Sequence, residues 1–128
     1  MSNTGREVAS VVAAICRSVV GGGSEGVRVI SVDTTVHGDA RVTSARDVSR
    51  LGLYSGGGGT DLRWGIARAC EPRRGWRADV IVVVTDGDGI WPEEPPHIPV
   101  IVALVGGRYR SYVPPWARIV EVNREERR

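Results

Sequence analysis

GGGGTDLRWGIARA (Gly56–Ala69) followed by ADVIVVVTDGDG (Ala78–Gly89) is the stretch that decides the fold of this chain. Four glycines let the backbone turn sharply and come close to other groups, and Thr60 after them suits a helix start. Leu62, Ile66, Ala69 and Cys70 then recur at helical spacing, so an amphipathic helix begins near Asp61. Val80 to Val84 is apolar without alternation, as in a parallel strand covered on both faces. Thr85-Asp86-Gly87 ends it in a turn.

Working outward, Ile98–Val105 reads as a second buried strand, stopped by Gly106 and Gly107. The segment WPEEPPHIP (Trp91–Pro99) between the two strands holds too many prolines for a long helix. Ala117–Val122 suits an edge strand, and Asn123–Arg128 a solvated tail. Upstream, Thr4 and Glu7 have capping-box spacing, and Val8, Val11, Val12, Ile15, Cys16 and Val19 form one apolar helix face that ends at Gly21–Gly23. Val27–Asp33 reads as a strand, Val36–Val42 as a hairpin turn into a short strand, and Ser44–Leu53 as a short helix.

Helices alternating with apolar strands predict an α/β fold: a doubly wound, mostly parallel sheet with helices on both faces. Residues 1–123 form one domain and residues 124–128 a charged tail. The 128 residues suffice for one core, and 41% hydrophobic against 25% charged residues is an ordinary globular balance. A net charge of +2, with no basic stripe interleaved with aromatics, argues against a nucleic-acid partner. The apolar runs are too short to span a bilayer, and no signal peptide is visible, so the expected location is cytoplasmic. Cys16 and Cys70 fall in apolar helical patterns without metal-type spacing and read as small buried hydrophobes.

In a doubly wound sheet, ligands bind at the carboxyl ends of the strands. Thr60 and Asp86 should both sit at that edge. A hydroxyl and a carboxylate there suit a hard cation such as Mg²⁺. Each residue alone also fits a local role, Thr60 as a helix N-cap and Asp86 as a turn residue.

The order of these motifs resembles von Willebrand factor A-like (VWA-like) domains. The GGGGTD loop, the TDGDGIWP stretch and the following Pro99-Val100 strand resemble most the C-terminal VWA-like domain of a predicted bacterial metallopeptidase family. The resemblance covers most of residues 3–122. It implies a metal-ion-dependent adhesion site in which Thr60 and Asp86 are ligands of Mg²⁺ or another divalent cation, with Asp61 and Asp88 in an outer shell. It implies a non-catalytic interaction module that captures a partner's carboxylate through the cation, with an AAA-type ATPase of the MoxR class as partner.

The pattern has a gap. The family's first, central strand and its D-x-S-x-S loop are missing, and Met1-Ser2 falls where that loop would end. The metal site is therefore incomplete, and the missing strand belongs between the strands at 27–33 and 78–85. A start upstream of Met1, a shortened form, or a strand supplied by another chain in a strand-exchanged dimer would each account for it. Asp33, Thr35 and His37 offer a degenerate substitute, but His37 is a poor ligand for a hard cation. His97 reads as an exposed loop residue.

Two other functions compete. A metal-free scaffold with a degenerate site would serve interaction alone. A Mg²⁺-dependent phosphoryl-transfer enzyme of Toprim type would use Asp86 and Asp88, but no upstream catalytic Glu is convincing. A P-loop lacks its G-K-[ST], and a zinc peptidase lacks H-E-x-x-H.

Overall fold

A computed structural model of the chain describes residues 4–21, 26–32, 36–44, 46–47, 60–73 and 75–122. The elements in order are α1 (Thr4–Gly21), β1 (Val27–Val32), β2 (Val36–Val42), α2 (Leu62–Cys70), β3 (Ile81–Thr85), β4 (Val100–Val105), a 3₁₀ turn (Arg110–Tyr112) and β5 (Arg118–Val122). Gly56–Gly59, Asp33, Thr35, most of Ser44–Leu53 and the 123–128 tail lie outside the described residues.

The fold is α/β as expected. β3, β4 and β5 form a parallel sheet in that order, flanked by helices. β4 is central, and Val102 and Leu104 on it are fully buried. Ile81 of β3 and Val100, Val102 and Leu104 of β4 form the main core with Ile98 and Val113, and Ala69 and Cys70 of α2 pack against it. β5 is an edge strand, as its weak alternation predicts. Cys16 and Cys70 are free thiols packed in apolar surroundings, and burial pushes both thiols above their ordinary value.

Three expectations are corrected. Val36–Val42 is strand throughout, not a turn and a short strand, because Gly38 pairs with Ser31 in the antiparallel β1–β2 ladder. The strands expected over 78–85 and 98–105 are shorter. Pro99 has no N–H to give to a ladder, so β4 starts at Val100, and β3 starts at Ile81, whose N–H donates to the Pro99 carbonyl at 2.9 Å. Nor is β3 covered on both faces: Val82 is 40% exposed.

The sheet is also broken. β1 and β2 form a two-stranded antiparallel sheet of their own, and among the described residues no strand joins it to β3. The break falls between the strands at 27–33 and 78–85, where one more strand is expected from the sequence. A second, smaller core of Cys16 and Val42, with Val12, Ala13, Val27 and Val29 around it, holds α1 against this hairpin. α1 touches β1, β3 and β4, so it bridges the two sheets.

Candidate functional site

The carboxyl end of the parallel sheet is built from three segments. The first enters α2. Asp61, not Thr60, is the helix N-cap: its side chain accepts from the Arg63 N–H at 3.1 Å, satisfying a donor that the first turn leaves free. The Arg63 guanidinium grips the same carboxylate, Nε to Oδ1 at 2.9 Å and Nη2 to Oδ2 at 2.8 Å. That contact holds the Asp61 carboxyl below its ordinary value, and the Arg63 backbone N–H adds to the effect.

The second segment follows β3. Thr85 is buried and its Oγ1 accepts from the Gly87 N–H at 3.1 Å. Asp86 Oδ1 accepts from the Asp88 N–H at 3.0 Å, closing the turn in which Asx residues are favoured. The turn carries on to Ile90, where it meets the first segment. Ile90 N–H donates to the Thr60 carbonyl at 2.8 Å, and Leu62 N–H to the Ile90 carbonyl at 2.9 Å. The two loops singled out in the sequence are thus joined through their backbones. The junction leaves no room for a side chain at Gly89, where a Cβ would lie 2.7 Å from the Thr60 carbonyl oxygen.

The third segment, after β4, was passed over in the sequence, where Gly106 and Gly107 mark only a strand end. It brings Tyr109 against the turn. A Cβ on Gly87 would come within 2.5 Å of the Tyr109 carbonyl oxygen, and Gly87 has φ +98°. The rings of Tyr109 and Tyr112 stack tilted with centroids 5.5 Å apart. Nothing local in the sequence announces a contact between residues 87 and 109, because the parallel crossover alone creates it.

Trp64 and Ile90 were also missed as surface residues. They are 57% and 52% exposed, although each looks like a core residue by type. Trp64 lies in the first turn of α2, and Ile90 is the residue that pairs with Asp61 across the junction. Two large apolar side chains therefore stand in solvent beside Thr60 and Asp61.

A hard cation takes about six oxygen ligands. The Thr60 hydroxyl and the Asp86 carboxylate have suitable chemistry, and together they would supply only two. The Asp61 carboxylate is held by Arg63, and Asp88 is exposed. Among the described residues no three His, Cys, Asp or Glu side chains converge as a metal-binding group. His97 is exposed, as expected. Among the described residues no helix is long and apolar enough to cross a membrane.

No curated protein and no solved structure matches the chain. One family model does, described as VWA-like domain (DUF2201), over residues 2–123. The match spans nearly the whole chain, and it agrees with a parallel sheet whose loops 60–62 and 86–90 meet at its carboxyl edge: the chain belongs to the VWA-like domain family.

Proposed function

We propose that this domain is a non-catalytic protein-interaction module whose partner docks on the edge formed by residues 60–64 and 86–90. The observation that carries the reading is the exposure of Trp64 and of Ile90 on the two segments that the backbone junction joins. Aromatic residues supply much of the binding energy at protein interfaces, and a rigid frame keeps the ordering cost low.

In the finer form of this proposal, Thr60 and Asp86 hold a Mg²⁺ or similar cation in part. Water and a carboxylate from the partner complete its sphere. Asp61 and Asp88 act at most through water. The kinship with the C-terminal domain of metallopeptidase-like proteins, and an AAA-type ATPase of the MoxR class as partner, belong to the same proposal. So does a strand-exchanged dimer, for which the support is that β3 has no hydrogen-bonded neighbour on one side among the described residues.

Thermal unfolding with and without Mg²⁺ tests the cation. A ligand at about 100 times its Kd stabilises the folded form by about 2.7 kcal/mol. Stabilisation of that order at millimolar Mg²⁺, lost in Asp86→Ala and Thr60→Ala, supports the finer form. No change in wild type leaves the metal-free scaffold, a reading favoured by the Arg63 grip on Asp61. Loss of partner capture in Trp64→Ala and Ile90→Ser without loss of folding tests the docking edge itself. Mg²⁺-dependent nicking of DNA, abolished by Asp88→Ala, would overturn the non-catalytic reading in favour of phosphoryl transfer.

A further inference from the structure

Where the β1–β2 hairpin meets the end of α2, three arginines converge on one carboxylate. Arg28 clamps Asp39 through both oxygens, Nε to Oδ1 at 2.8 Å and Nη2 to Oδ2 at 2.7 Å. Its Nη1 donates to the Glu71 carbonyl at 2.9 Å, which ties the hairpin to the end of α2. This pair is well covered, with the side chains of Arg28 and Asp39 8% and 12% exposed. Two further guanidiniums reach the same carboxylate from outside. Arg68 Nη1 lies 3.2 Å from Oδ2, and Arg73 Nη1 lies 3.2 Å from Oδ1. With Glu71 and Pro72, these residues line an open pocket of about 390 Å³.

The charges do not balance. Three guanidiniums face Asp39 and Glu71. The Glu71 carboxylate is only loosely engaged, 3.9 Å from Arg68 Nε and 68% exposed. A guanidinium carries five N–H donors, and a carboxylate offers about four acceptor sites. Arg28 takes two of those sites with its fork, so Asp39 can satisfy only a small part of what Arg68 and Arg73 have to give. These two side chains are 43% and 53% exposed, which leaves donors at the pocket mouth. Arg68 is also held in the last turn of α2, where the helix dipole favours a cation whether or not a ligand is present. Two arginines fixed against a shared anchor form a fork of the kind that recognises tetrahedral oxyanions.

We propose that this pocket is a binding site for an oxyanion of the phosphate class, with Arg68 and Arg73 as its binding residues and the Arg28–Asp39 pair positioning them. It lies at the far end of α2 from the docking edge. Trp64 of that edge and Arg68 of the pocket stand four residues apart, about 6 Å along the helix axis. It does not depend on the proposed function.

The test is a titration of the whole chain with inorganic phosphate and, in a second arm, O-phosphoserine, at constant ionic strength set by chloride. The readout is the NMR resonances of the arginine Nε–H groups. Saturable shifts at Arg68 and Arg73 are expected. Arg68→Gln and Arg73→Gln each weaken binding about tenfold, the double variant abolishes it, and Arg118→Gln on β5 leaves it unchanged. Arg68→Lys keeps the charge but loses the fork, and binds less tightly than wild type. Tighter binding of O-phosphoserine assigns the site to phosphate monoesters, and tighter binding of inorganic phosphate assigns it to the free ion. The proposal is overturned if neither ligand shifts these resonances beyond the chloride control. In the correctly folded double variant the Nε–H of Arg28, which lines the same pocket, is the reporter, and a saturable shift there equal to that of wild type overturns it as well.

Discussion

A methyl group on Gly89 would sit 2.7 Å from the Thr60 carbonyl oxygen, inside any permissible contact. That carbonyl is backbone, so it cannot rotate away. Gly89→Ala should cost about 1–3 kcal/mol, as overpacking does, and part the two loops. Chemical denaturation gives the cost, and loss of the Ile90 amide's exchange protection reports the parting. Asp61→Ala should cost about 1 kcal/mol through the lost N-cap. Asp39 carries a pH signature. The Arg28 guanidinium holds its carboxyl at about 2, below the ordinary 3.8. A lowered folded-state value means that the contribution is complete above about 3.8 and is lost as pH falls through about 2. Unfolding midpoints followed from pH 5 to pH 2 should fall in wild type, and less steeply in Asp39→Asn. At this scale the sequence was partly legible. The glycines of TDGDG announced a turn, but not which backbone each must admit. Thr60 and Asp61 are both good caps, and only the entry angle of α2 chooses between them. Arg28 and Asp39 were passed over, because charged residues on alternate positions of a short hairpin look like a solvated face.

Strand β4 is read correctly from its residues: an unbroken apolar run in the centre of a parallel sheet is buried on both faces. Strand β3 has the same composition and a different fate. Its run speaks of cover on both sides, yet one side of the strand has no hydrogen-bonded neighbour among the described residues, and Val82 stands in solvent. Composition records the surroundings a strand is suited to, and β3 here has only part of them. Leu104→Ala on β4 should therefore cost about 2–5 kcal/mol by leaving a cavity. Val82→Ala should cost well under 1 kcal/mol. An open, apolar strand side also invites pairing with another chain. Under the strand-exchange proposal, association grows with protein concentration in sedimentation velocity, and a charge in Val82→Lys suppresses it. A concentration-independent monomer up to hundreds of micromolar would exclude it.

The whole molecule was legible in class and in order of elements, and the place of the break between 27–33 and 78–85 was legible too. Hidden from the sequence was how the halves stay together with no shared strand among the described residues. α1 ties them by touching both sheets, α2 by packing on β1 and on the main core, and Arg28, Arg68 and Arg73 by their bonds across to Glu71 and Asp39. Hairpin and parallel sheet keep separate cores of unequal size. A protein with two such cores has little reason to open in a single step. Amides of β1 and β2 should exchange with solvent through a partial opening that leaves β3–β5 intact, while β4 amides exchange only on global unfolding. Arg28→Met should widen the difference by loosening the hairpin alone. The break in the sheet would then be felt as a boundary between two cooperative units, an internal seam along which the domain loosens well before it melts.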